Sequence, residues 1–189
     1  MSETINPTML IVIVVIVLAL GIALWLYIQK KRTQKLRSKF GPEYDRAIGE
    51  HRDRAHAESE LEKRATRVAK FHIHPLSAEH RSMYLGRWQE EQSQFVDDPQ
   101  AAVKHADALV QEVMQARGYL VGDFDQNAAD LSVDHPHVIE NYRIAHEIAL
   151  RDGRGEANTE DLRKAMVSYR ALFEDLLGQT IEKPEEVRK

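Results

Sequence analysis

Met9–Ile28 reads MLIVIVVIVLALGIALWLYI, twenty residues without a charge, an Asn, a Gln or a Pro. As a helix it rises about 30 Å, the hydrocarbon thickness of a bilayer. A helix satisfies its own backbone groups, so this stretch can cross lipid without a partner. The apolar run has no polar face, which separates it from the buried helix of a soluble protein.

The flanks orient it. MSETINPT before the run has one acid and no Lys or Arg, whereas QKKRTQKLRSK after it has Lys30, Lys31, Arg32, Lys35, Arg37 and Lys39 and no acid. Basic flanks stay cytoplasmic, which predicts an outside N-terminus and a cytoplasmic body. Trp25 and Tyr27 fall at the basic end, where aromatic rings favour the interface, and Lys30, Lys31 and Arg32 would meet anionic headgroups at about 1 kcal/mol each. A cleaved signal peptide would want its charges before a shorter apolar core. Ala19 and Ala23 form a small-xxx-small pair that would allow homo-oligomers through the anchor.

The rest of the chain is acidic. Net charge is −4, with 26 basic and 30 acidic residues; setting aside the six collar cations and Glu3 leaves 20 basic and 29 acidic residues from Phe40 onward. Such a body argues against nucleic acid, which needs a basic face, and predicts a domain that stands off an anionic membrane. There is no Cys, so disulfides, thiol catalysis and Cys-based metal sites are excluded.

Phe40-Gly41-Pro42 should end or kink the anchor helix. Residues 43–76 read as a charged helical stalk and connector. Tyr44, Ile48, Ala55, Leu61, Ala65 and Val68 make a broken stripe, interrupted by His51 and Glu58. The stripe allows either a weak coiled coil, a second route to homo-oligomers, or a charged helix lying on its own domain. Phe71–Leu76 is an extended connector, and Ser77 caps a helix to about Phe95. Asp98 and Pro99 start the best-patterned helix, with Ala102, Val103, Ala106, Leu109, Val110, Val113 and Met114 at intervals of three and four; Gly118 ends it. A short helical turn near Asn127–Leu131, a helix from Pro136 and a last helix capped by Thr159 and closed by Gly178 complete the body.

No stretch alternates like a strand. The expectation is an all-α chain: residues 1–8 an extracytoplasmic N-terminus, 9–28 a transmembrane helix, 29–42 a basic juxtamembrane segment, 43–76 the stalk, 77–178 a small bundle of about four helices and 179–189 a disordered tail.

FGPEYDRAIG, RWQEEQSQFVDDPQAAVKHADALVQEVMQARGY and ADLSVDHPHVIENYR together resemble a family of bacterial single-pass membrane proteins, some described as secreted, with no known activity. The likeness runs from about Phe40 to Leu177. It implies a bacterial source and an inner-membrane setting, and it transfers no residue roles.

Two groups of residues invite chemistry. His72-Ile-His74 and His135-Pro-His137 are His-x-His pairs, which could form a metal site if the connector met the start of the Pro136 helix. Asp123-Phe-Asp125-Gln-Asn127 matches the start of a calcium loop, but Ala128 replaces the required Gly and Asp134 the bidentate Glu. Capping and turn formation explain the run better. His105 and His146 border apolar faces, as hydrogen-bonded core-edge histidines do. No HExxH, Walker loop, GxGxxG or G-x-S-x-G occurs. The favoured expectation is a non-catalytic module without cofactors that binds a protein partner or ligand near the membrane, with Tyr119 and Phe124 as exposed contacts. The contrasting one is a metal-binding or hydrolytic domain built on the Asp/His loop 123–137.

Overall fold

The computed structural model describes residues 7–51 and 53–178. The tail expected to be disordered and the first six residues of the N-terminal segment lie outside them. The protein is all-α, with eight helices and no strand among the described residues: α1 Pro7–Phe40, α2 Pro42–His51, α3 Arg54–Val68, α4 Ala78–Gln94, α5 Pro99–Ala116, α6 Phe124–Asp134, α7 Ile139–Asp152 and α8 Thr159–Leu176.

Among the described residues one helix is long and apolar enough to cross a membrane, and it lies near the N-terminus. α1 does not stop where its apolar segment does. It continues through the basic collar to Phe40, and Gly41, in the left-handed region at φ +48°, turns the chain. The collar therefore belongs to the same rod as the apolar segment.

Two cores follow. The larger one gathers α4, α5, α7 and α8 with one face of α6. α8 lies against both α5 and α7, and its buried Leu162, Ala165, Met166, Tyr169, Leu172, Phe173 and Leu176 keep helical spacing. Trp88 of α4 stacks on Phe173 at 4.7 Å between ring centroids. The smaller core takes Leu36 and Phe40 from α1, Tyr44 and Ala47 from α2, Ala57, Leu61 and Val68 from α3, and Val133 from α6. Phe71 and Ile73 of the connector pack against both.

Of the two readings of residues 43–76, this core fits the charged helix lying on its own domain. α2 and α3 form a hairpin that folds back along the collar half of α1 and against α6. Most of the stripe that suggested a coiled coil faces inward: Tyr44, Leu61 and Val68 are buried and Ile48 and Ala65 half-buried, while Ala55 is exposed.

Local signals explain most boundaries. Ser77 caps α4 by accepting from the His80 amide at 3.2 Å, and Asp98 caps α5 from the Ala101 amide at 3.0 Å, with Pro99 at its first position. Gly118 ends α5 at φ +93°, and a Cβ there would stand 2.2 Å from the His72 carbonyl oxygen. The connector runs close enough for the His74 amide to donate to the Arg117 carbonyl at 2.9 Å. Three expectations shift. The short helical turn expected near Asn127–Leu131 is a full helix, α6, from Phe124 to Asp134, which brings a fifth helix to the bundle of about four. α7 begins at Ile139, not Pro136, since the His135 carbonyl accepts from the Val138 and Ile139 amides in a turn. Asn158, not Thr159, caps α8 in a reciprocal capping box with Asp161.

Candidate functional site: the junction of anchor helix and domain

A buried charge must find partners or shift its protonation. Three carboxylates here are almost wholly buried, Glu43, Glu58 and Asp130, and each sits between helices of the junction. Glu43 opens α2. Its Oε1 accepts from Arg64 of α3 at 3.0 Å and from Arg143 of α7 at 2.7 Å, and its Oε2 accepts from Arg143 at 2.8 Å. The bidentate Arg143 contact is the planar fork that guanidinium makes with carboxylate. Arg143 stands 100 residues away in sequence, so this one carboxylate ties the hairpin to the bundle.

Glu58 of α3 accepts at Oε1 from the Thr33 hydroxyl of α1 at 2.7 Å, the Tyr44 hydroxyl of α2 at 2.8 Å and Arg54 Nε at 3.1 Å. Burial would raise its carboxyl, but these three donors outweigh burial and hold it below the ordinary Glu range. Asp130 of α6 shows the other balance. Burial dominates and leaves it raised, although Arg67 Nε donates to both its oxygens and Gln126 to one. Glu58 appeared in the sequence only as an interruption of an apolar stripe. Arg54 four residues before it was the one local hint, and nothing local pointed to Glu43 with Arg143.

A groove of about 590 Å³ opens beside this junction, between the collar turns of α1 and the first turn of α3. Trp25, Leu26 and Lys30 line one wall and Asp53, Arg54 and Ala55 the other. α2 thus carries the chain back alongside α1, and α3 starts beside the turns where the apolar run passes into the collar. Of the interface residues expected from sequence, Trp25, Lys30 and Arg32 border the groove, while Tyr27 and Lys31 do not line it. Arg32 is not a free collar cation: its Nε and Nη2 both bond Glu62 of α3. A larger cleft of about 790 Å³ lies between α3 and α6, with Lys63, Arg64, Arg67 and Lys70 facing Asp123 and Asp125.

The other candidate residues are spread apart. The connector packs on the end of α5, leaving His72 and His74 exposed there. His135 is buried with Nδ1 on Asp175 of α8, and exposed His137 lies against Gly41. Among the described residues no three His, Asp or Glu side chains are grouped to hold a metal. Asp123 caps α6 by accepting from the Gln126 amide at 2.8 Å, so the calcium-like run is a helix start. Asn127 turns inward, its side chain bonding the Gly122 amide and carbonyl. Tyr119 is not an exposed contact: it is 2% exposed and donates to Asp134 at 3.1 Å. Phe124 is half-buried and stacked on His146 at 3.6 Å. His105 pairs with Glu91 across the α4–α5 surface.

No family model, curated protein or solved structure matches this chain. The likeness over Phe40–Leu177 rests on its residues alone, and the function has to be argued from the junction itself.

Proposed function

We propose that the chain is a single-pass membrane protein of the bacterial inner membrane, with its helical domain on the cytoplasmic face, and that this domain acts without catalysis as a docking module. The observation that supports this most is the continuity of α1. The helix that carries the apolar span also supplies Leu36 and Phe40 to a core and Thr33 to a buried carboxylate. A domain built onto its anchor in this way keeps one orientation to the bilayer, as presentation of a face to a membrane-bound partner or ligand requires. A catalytic domain on a flexible tether has no such need.

The chemistry of the buried groups agrees. Glu43, Glu58 and Asp130 are engaged by cations and hydroxyls of neighbouring helices, so they join elements rather than wait in a cleft for a substrate proton. The basic collar supports the cytoplasmic orientation, and the family likeness supports the bacterial setting.

The test pairs topology with recruitment. A fluorescent protein fused after Lys189 should fluoresce and a periplasmic phosphatase fused there should stay inactive; the opposite pattern refutes the orientation. Cross-linking in membranes should then recover a specific partner with the full chain. That partner should be lost when the apolar span is replaced by a soluble helix that leaves Gln29 onward intact. Recovery of the same partner in equal yield without the span would refute the need for a fixed position at the membrane.

A further inference from the structure

We infer that the groove between the collar of α1 and the start of α3 is a binding site for one anionic phospholipid, with its phosphate between Lys30 and Arg54 and its acyl chains along the Trp25–Leu26 edge. The inference rests on the reading of Met9–Ile28 as a membrane span and adds a ligand to it.

Position selects a lipid. If the span ends at Ile28, Trp25 and Leu26 lie in its last turn and Lys30 lies two residues beyond it. One groove therefore has an apolar end at acyl depth and a cationic end at headgroup depth. A soluble anion would use only the second. The volume of about 590 Å³ falls within the range of small-ligand sites and suits a headgroup with its glycerol.

Charge selects an anionic one. Arg32 and Glu62 neutralise each other across the α1–α3 contact. Lys30 is exposed and makes no ion pair among the described residues. Arg54 commits Nε to Glu58, yet 62% of its side chain is exposed. Its pairing with Glu58 orients it, and the Thr33 and Tyr44 hydroxyls share the load on that carboxylate. Asp53 and Glu58 also line the groove, Glu58 engaged by Arg54 and the two hydroxyls and Asp53 capping α3 through the Ala55 amide, so Lys30 is the lining cation without a carboxylate partner among the described residues. A helical collar alone would attract anionic lipid diffusely. The hairpin turns this attraction into a two-sided site by bringing Arg54 from α3 to face Lys30 on α1. It also lets an acidic body meet a membrane surface, at the one place where Lys30 and the exposed side of Arg54 stand together.

The two tryptophans provide the readout. Trp25 lines the groove, whereas Trp88 is buried in the bundle against Phe173 and reports a constant background. Full-length protein is reconstituted in phosphatidylcholine vesicles containing a few per cent of lipid spin-labelled near the top of the acyl chain. The label is carried either on phosphatidylglycerol or on phosphatidylcholine. Labelled phosphatidylglycerol should quench Trp25 at several-fold lower mole fraction, on the order of fivefold per cation. Lys30→Gln should remove much of that preference without touching a protein contact, and adding Arg54→Gln should abolish it. Lys31→Gln with Lys35→Gln, which removes two collar charges outside the groove, should leave most of it.

Equal quenching by both labels would overturn the site while leaving the span intact. So would equal losses in the two double variants, which would mean diffuse attraction. Release of the labelled lipid by millimolar inorganic phosphate would show a site for free anions instead. No quenching by either label would place Trp25 outside the bilayer and refute the membrane reading itself.

Discussion

Replacing Glu43 by Gln keeps the shape of the side chain and removes its charge. In the folded protein this leaves Arg64 and Arg143, 15% and 14% exposed, around an amide that can accept from them at one oxygen and must point its own NH₂ at the other. Breaking a buried ion pair by removing one partner costs about 3–5 kcal/mol. Two features place this case at the lower end. Both guanidiniums retain some water, and Arg143 keeps Glu140 at 3.5 Å. The charge also complements the first turn of α2, worth a few tenths of a kcal/mol. The expected loss is therefore about 3 kcal/mol. The network itself is not fully satisfied, since Arg64 Nε is buried without a partner. Replacing Glu43, Arg64 and Arg143 together by Met should accordingly restore stability to within about 1 kcal/mol of the parent. The assay is urea unfolding of full-length protein in detergent micelles, followed by far-UV circular dichroism. A loss under about 1 kcal/mol for Glu43→Gln, or a triple variant as unstable as the single one, would refute the claim that this carboxylate joins the hairpin to the bundle.

Three further outcomes follow from other parts of the fold. Gly118→Ala should cost about 2 kcal/mol or more in the same unfolding assay, because φ +93° strains any L residue and the new Cβ meets the His72 carbonyl; a neutral substitution would mean the connector packs elsewhere. Phe40→Ala should cost about 3–5 kcal/mol locally, since Phe40 is fully buried in the smaller core. Hydrogen exchange should then quicken in α2 and α3 well before α8, and uniform loss of protection would contradict two separate cores. Glu58 makes a signed pH prediction. Its folded carboxyl lies below the unfolded value of about 4.3, so its contribution is complete above that pH and is lost as the pH falls through the folded value. Glu58→Gln should flatten the acid limb of the stability curve below about pH 4.5, and an unchanged limb would show that other carboxylates carry it.

What could be read in advance divides by the range of the interaction that decides it. The apolar span, the Asp98–Pro99 start of α5 and its stripe, and the Gly118 stop are settled within a few residues, and the sequence displays them directly. The stop at Gly118 even has a further reason that lay out of sight, a connector carbonyl 46 residues upstream. α6 was harder because its Asp and Asn residues are typical of turns. Burial of Ala128 and Leu131 in the larger core and of Val133 in the smaller one, with the Asp123 cap, commits the segment to a helix. Tyr119 is illegible for a related reason: a loop residue just past a helix end reads as exposed, yet here it folds back under α6 and reaches Asp134.

The junction was the least legible part, and the reason is general. A Glu in a charged helix is solvated unless distant donors surround it, and periodicity carries no trace of such donors. Glu58 interrupts its stripe because α1 supplies Thr33 and α2 supplies Tyr44 at that level, not because the helix is a poor one. The same donors hold α3 beside the collar, and with it Arg54 opposite Lys30. An apparent defect in amphipathic pattern thus marks the place where the long apolar helix and the domain become one body. In an anchored helical protein, a charged residue that breaks an apolar stripe within one helix length of the span is where a junction of this kind should be sought.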